Sequence, residues 1–429
     1  MEQLLHYVWR YKIFPLKPLQ TTSGLSVEVL DPGLPNRNAG PDFSGAKVRI
    51  DGILWVGNVE IHTRASDWMR HGHQHDPAYD SVILHVVETA DVEVCRPSGD
   101  PIPQLCLTCP EEVSRRYDEL RFTEMHPPCY AIIPSLSQLK ISEWLSALVA
   151  ERYDQRAATI GERLGRTDFR WDDAFMVTLA RGFGFGVNGD AFEAWAQLVP
   201  FRAVDHHRDD LLQVEAIFFG QAGLLEGELE GEGERDEYFL ALQKEYRYLR
   251  RKFNMPDPLS AGHWRLLRLR PSNFPHVRLA QLAWLYHKHG SLFPKLMEVG
   301  TLDEARNLLT ASTSPYWDTH FRFGRKSPTQ KKCMGRNGAE LLMINAVIPF
   351  IYTYGRHRAQ EESCERAGQM LEALPAEKNY IIQMWDGAGL HVHNAAESQA
   401  LMQLQRKYCD RKDCLRCRFG YEFLKRRSS

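Results

Sequence analysis

Over the first 110 positions the apolar residues alternate between a period near 3.6 and a period of two. Leu4, Leu5, Val8 and Trp9 fall on one face of a helix predicted from Glu2 to Tyr11. Leu25 to Leu30 is β-rich and stops at the Asp31–Gly33 cluster. After a turn-rich loop from Pro35 to Asp42, Phe43–Ile50 and Ile53–Thr63 read as a hairpin. The Asp51-Gly52 pair between them is a strong type I′ signal. Ser66 predicts a cap for a short helix carrying Asp67, Trp68 and Met69, and Asp76-Pro77 suits a further helical turn. Val82 to Val87 is nearly continuous in apolar residues, as expected of a strand buried on both faces. A short strand pair is expected around Val92–Cys95 and Ile102–Leu107.

From Ser135 onward the period is helical. Helices are expected at Ile141–Arg163, Ala174–Arg181, Ala191–Leu198, Leu211–Phe219, Asp236–Phe253, Val277–Tyr286 and Gly338–Ile351. The Gly/Glu stretch from Leu225 to Glu237 reads as a solvated acidic loop. Gly184-x-Gly186-x-x-Gly189 has dinucleotide-loop spacing, but the segment before it is helical. Without a preceding strand it reads as a helix–helix connection. These patterns divide the chain into an α/β domain (1–134), a helical domain (135–400) and a basic, cysteine-bearing segment (401–429).

Composition adds little. The chain has 429 residues, 43% hydrophobic and 25% charged, and its net charge of -2 is neutral on nucleic-acid binding. The start, MEQLLHYVWR, lacks the apolar core of a signal peptide. The apolar run Leu341–Tyr354 is too short and too interrupted to span a bilayer. Nine cysteines, an odd number, do not form a secreted disulfide framework. A cytoplasmic protein with no membrane association is the expectation.

Chemistry concentrates on the third expected strand. Strand alternation puts Asn58, Glu60 and His62 on one side, with Glu60 and His62 roughly 6–7 Å apart. Asp42, at the start of the preceding strand, can lie beside them. Two carboxylates facing each other repel, and a divalent cation relieves that repulsion. Such a cation can clamp a phosphate and acidify a water for attack on phosphorus. The same residues are also compatible with an ordinary hairpin whose exposed end is polar.

The order helix, strand, strand, strand, helix, strand, with Pro41-Asp42 and Glu60-Ile61-His62 at these positions, resembles the αβββαβ core of PD-(D/E)xK nucleases. The resemblance covers about the first 90 residues. It implies an α+β protein: a restriction-endonuclease-like domain followed by a large all-helical domain. Asp42, Glu60 and His62 would then be the catalytic and metal-binding residues, and Glu2 the place of an extra acid. The motif lysine is replaced by His62. An imidazole acts as base or ligand instead, moving metal preference from magnesium toward manganese, iron or zinc, or activity is lost.

Five histidines, His62, His71, His73, His75 and His85, fall within 24 positions. On a helix His71 and His75 would share a face at ligand spacing, though Gly72 and Pro77 also suit a loop. His85 sits inside a buried strand and needs a hydrogen-bond partner. His71 and His73 are assigned to the metal site with Asp42, Glu60 and His62. A solvated polar loop with one satisfied core histidine is the competing reading.

Motifs along nearly the whole chain resemble one uncharacterised bacterial family, found mainly in Bacteroidetes and known as a domain of unknown function. They are Asn38-Ala-Gly-Pro-Asp-Phe43, Gly57-Asn-Val-Glu-Ile-His62, Ser66-Asp-Trp68, His71-Gly-His73 and Ile83-Leu-His-Val-Val87. Phe218-Phe-Gly-Gln-Ala-Gly223, Arg270-Pro-Ser-Asn-Phe-Pro275, Tyr316-Trp317 and the Tyr408–Cys417 segment complete the set. The resemblance brings no established reaction with it.

Two further clusters bear on partners. Lys244 to Arg270 is rich in Lys and Arg, with Trp264, Phe274 and Arg278 nearby. Arg251, Arg268, Arg270, Asn273 and Arg278 are candidate contacts to DNA or RNA, against a solvated helix face. Cys409, Cys414 and Cys417 are close enough in sequence for zinc or an iron–sulfur cluster. Both commonly take a fourth ligand, with His391, His393, Cys364, Cys333 and Cys129 as candidates. Free thiols are the alternative. From Arg406 on, nine basic and three acidic residues give +6.

Three functions remain open. The leading one is a metal-dependent nuclease using magnesium, manganese or zinc. The others are a non-catalytic nucleic-acid-binding or scaffolding protein and a metal-dependent hydrolase of a small substrate.

Overall fold

The computed structural model describes residues 2–14, 17–36, 40–96, 98–226, 235–267 and 269–425. Two compact units result. The first comprises Met1–Trp144, Gln383–His391 and Leu404–Ser429, and the second Leu145–Ile382 and Val392–Gln403. The cysteine-bearing segment expected to stand apart as residues 401–429 therefore folds mainly into the first unit.

The first unit opens with α1 (Glu2–Arg10), whose Leu4, Leu5, Val8 and Trp9 are all buried. Its strands are β1 (Leu19–Gln20), β2 (Ser26–Asp31), β3 (Leu34–Pro35), β4 (Phe43–Ile50), β5 (Ile53–Arg64), β6 (Val82–Thr89) and β7 (Gln104–Cys106). They form one mixed sheet in the order β1-β2-β4-β5-β6-β7, with β3 paired to β4. β4 is antiparallel to both β2 and β5, whereas β6 runs parallel to β5 and β7 parallel to β6. The β4–β5 hairpin closes at Asp51 and Gly52, both with positive φ (48° and 81°), as the type I′ signal requires.

The expected strand pair after β6 takes a different form. Ile102 N–H reaches Val94 O and Cys95 bridges Pro101, while Gln104–Cys106 joins the main sheet beside β6. Ser66 does not cap α2 (Asp67–Arg70) with its side chain. Its hydroxyl and amide donate to Asp91 instead, at 2.7 and 2.9 Å.

Sheet alternation sorts β5 as its pattern demands. Val59 and Ile61 join Leu5, Val8 and Trp9 of α1 in the core. Glu60 and His62 take the opposite face, over which Trp68, Tyr79 and Val82 cluster. At Gly57 a Cβ would lie 2.4 Å from Ile83 Cγ2 and 2.8 Å from Ser81 O. β5 and β6 approach so closely there that only glycine fits.

The second unit is mostly helical around one large core. Helices at Trp171–Phe183, Gly189–Leu198, Leu211–Gln221, Glu237–Lys252 and Pro275–His289 coincide with or extend the expected ones. The Gly184–Gly189 motif joins two helices, and a Cβ on Gly184 would meet Gly189 N at 2.4 Å. The expected Gly338–Ile351 helix is broken into Arg336–Leu342, a π-helical turn Met343–Val347 and Ile348–His357. Pro349 lacks an N–H and its ring crowds the turn before it, which accounts for the widened turn. Of the predicted Leu225–Glu237 loop, residues 227–234 lie outside the described residues. No helix among the described residues is long and apolar enough to cross a membrane.

Candidate metal centre

Asp42 reaches β5 by backbone. Its N–H donates to Glu60 Oε2, and Ile61 N–H donates to its Oδ2, both at 3.0 Å. The loop before β4 thus clamps one carboxylate beside the other. Glu60 is 4% exposed and His62 2%. Burial first, then the charge of Asp42, push the Glu60 carboxyl up to about 8. Burial also raises Asp42, partly countered by His6. The charge of Glu2 opposes ionisation of both. Three acids therefore converge where a cation would relieve them.

Around Glu60 stand imidazoles. His62 Nε2 lies 3.5 Å and His73 Nε2 3.2 Å from Glu60 Oε1. His62 Nε2 is 3.1 Å from His71 Nδ1. His62, His71 and His73 each offer a nitrogen, and these lie within 4.8 Å of one another. Such spacing lets three neutral imidazoles share one cation. Burial holds His62 down to about 2 and His73 to about 4, so both are neutral at physiological pH. His73 Nε2 is buried without a hydrogen-bond partner, because its contact with Glu60 lacks the geometry of one. A buried ring nitrogen 3.2 Å from a carboxylate oxygen, yet not hydrogen-bonded to it, fits a cation held by both.

The local fold explains which histidines meet. Gly72 takes a left-handed φ of 77°, ending α2 and starting a 3-10 turn at His73. That break pairs His71 with His73 rather than with His75. His73 stacks on Tyr79 at 3.8 Å and meets the edge of Trp68. The expected partner of His85 is His62: Nδ1 and Nε2 stand 2.9 Å apart. If His62 Nδ1–H donates to His85, Nε2 is left with a lone pair toward the cation side. His85→Leu should therefore weaken metal binding at this site by roughly 10–100-fold. His85→Gln, which restores an acceptor, should recover much of it. Competition with a calibrated chelator measures both, and equal affinities for wild type and His85→Leu would remove the orienting role.

Sequence reasoning missed His6, whose Nε2 is 3.4 Å from Asp42 Oδ2. The signal was present: Glu2 and His6 are four apart on the polar face of α1. His6 also lines a cleft of about 410 Å³ with Arg10, Asn36, Phe43, Arg411 and Lys412.

The other candidates lie elsewhere. Arg251 and Arg270 are exposed in the second unit, and Arg268 lies outside the described residues. Asn273 and Arg278 are turned to each other. Arg278 donates to Asn273 Oδ1 at 2.5 Å and Gln281 Oε1 at 2.8 Å and stacks over Phe185. Burial lowers its guanidinium to about 10. Cys409, Cys414 and Cys417 are all buried in the first unit.

An α+β chain with a histidine–carboxylate cluster on the face of a mixed sheet is the class that these features define. The chain belongs to the family described as "Protein of unknown function (DUF2851)", whose model matches residues 2–380. The Tyr408–Cys417 segment lies beyond that match. No curated protein and no solved structure is significantly similar to the chain.

Proposed function

We propose that the first unit is a transition-metal-dependent phosphodiesterase acting on nucleic acid. One observation carries the reading: His62, His71 and His73 converge beside Glu60 and Asp42, next to a cleft lined by Arg10, Arg411 and Lys412. In this reading the three imidazoles and Glu60 hold the cation. Nitrogen donors favour zinc, manganese or iron over magnesium. The cation supplies an acidified water and polarises the phosphoryl oxygen. Asp42 sets the position of Glu60, and His6, on the cleft side, is placed to accept a proton. Basic residues on the cleft wall neutralise the backbone of the substrate.

The fold supports the same reading. In this reading α1, β2, β4, β5 and β6 stand for the restriction-endonuclease-like order, and Glu60 and His62 for its Glu-x-Lys position.

The test is cleavage of single-stranded, duplex and branched DNA and RNA by chelator-stripped protein reloaded with single metals. Activity should return with manganese or zinc and exceed that with magnesium. Salt-sensitive binding without cleavage under every metal would instead identify a non-catalytic nucleic-acid binder. Cleavage of bis(p-nitrophenyl) phosphate alone would restrict the reading to small substrates.

A further inference from the structure

The first unit also gathers four cysteines that are far apart in the chain. Cys129 stands at the head of the 3-10 turn Tyr130–Ser135, about 280 residues before the others. Cys409 ends the π-helical turn Gln405–Cys409. Cys414 opens the 3-10 turn Cys414–Arg416, and Cys417 immediately precedes the helix Arg418–Lys425. All four are buried, at 5–8% exposure, and none is in a disulfide. The turn that Cys129 heads packs on the last helix, and that helix packs on the Cys414 turn. The Cys414 turn packs on the Cys409 turn, so each thiol lies within charge range of the others.

The backbone is shaped around these sulfurs. Lys412 adopts a positive φ of 52° between Cys409 and Cys414. Gly420 lets the last helix press onto the Cys414 turn, where a Cβ would lie 2.0 Å from Cys414 O. The start of the last helix brings the amides of Phe419 and Gly420 near Cys417 Sγ. N–H groups directed at a sulfur stabilise a metal-bound thiolate. Four buried thiols on adjoining turns of one unit are a complete donor set for a thiophilic metal.

We infer that Cys129, Cys409, Cys414 and Cys417 form a tetrathiolate centre, taking zinc or an iron–sulfur cluster, that staples the C-terminal segment to the α/β unit. Cys129 is the fourth ligand. The other sequence candidates are placed elsewhere: Cys333, Cys364 and His393 belong to the second unit, and His391 is exposed and paired with Asp386. The centre is independent of the histidine cluster and stands whether or not the protein cleaves phosphodiesters.

The test uses full-length His62→Ala protein, purified anaerobically so that metal at the histidine site does not contribute. Zinc, iron and acid-labile sulfide are measured together with X-ray absorption at the edge of the metal found. Zinc at one equivalent with four sulfurs at about 2.3 Å, or iron with matching sulfide and only sulfur in its first shell, is the expected result. Cys129→Ser should lose that metal as fully as Cys414→Ser, and Cys364→Ser should keep it. A nitrogen or oxygen ligand in the metal shell of the His62→Ala protein, a metal-free protein, or disulfides among the four would overturn the assignment. The absorption spectrum decides even if the serine variants fail to fold.

Discussion

Glu60→Gln should lower metal-stimulated phosphodiester cleavage about a thousandfold, roughly 4 kcal/mol of transition-state stabilisation. The metal-free fold should be almost unaffected. The asymmetry follows from burial. Without a cation the Glu60 carboxyl sits at about 8, so at pH 7 it is mainly protonated and glutamine is a close neutral mimic. The amide oxygen can still accept from Asp42 N–H. With a cation the ionised carboxylate is the negative charge that glutamine cannot supply. Cleavage rates and metal-free melting temperatures of the two proteins check both halves. A variant with wild-type turnover would remove Glu60 from the reaction, and one that melts far lower without metal would make its role structural.

The second large effect is on stability against pH. His62, His73 and His85 are held by burial at about 2, 4 and 3, below their ordinary 6.5. Between pH 4.5 and 6.5 the unfolded chain binds these protons and the folded one does not, so stability falls as pH falls. Each group contributes roughly 1.4 kcal/mol per pH unit. Glu60 works in the opposite sense. Its folded value of about 8 exceeds the ordinary 4.5, so the folded state holds a proton that the unfolded state has lost, and stability falls as pH rises from 4.5 to 8. Asp42, also raised, adds to that side.

Three imidazoles outweigh the two carboxyls below pH 6.5, leaving a net acid slope of about 1.4 kcal/mol per pH unit. Above 6.5 only the carboxyl side remains. Metal-free protein should therefore be most stable near pH 6.5 and lose stability on both sides. In the second unit His276 and His289 reinforce the acid limb, while Glu215 opposes it. Saturating metal should flatten the upper limb, because bound Glu60 is then ionised. Denaturant midpoints from pH 5 to 8.5 check this, and a midpoint unchanged between 6.5 and 5 would contradict it.

What the sequence disclosed depended on how local the physics was. Asp51-Gly52 announced its hairpin because both residues tolerate positive φ, a property of two neighbours. The shared face of Glu60 and His62 was legible because strand alternation has a fixed period. The pairing of His71 with His73 turned on one left-handed glycine, which spacing alone did not resolve between helix and loop. Helical spacing put His6 on the face of Glu2, but its contact with Asp42, like that of His85 with His62, runs between elements, which no local period encodes. Cys129 was one of five candidates for the cysteine triplet, because spacing along a chain is silent on what folds back from 280 residues away.

The central claim is a cation shared by His62, His71, His73 and Glu60. Its most direct test is anomalous X-ray scattering from crystals soaked in manganese or zinc, collected at the edge of the metal. The account predicts a peak roughly 2.0–2.3 Å from nitrogens of His62, His71 and His73 and from a Glu60 carboxylate oxygen. Full occupancy at the four cysteines with no density among these histidines would contradict it.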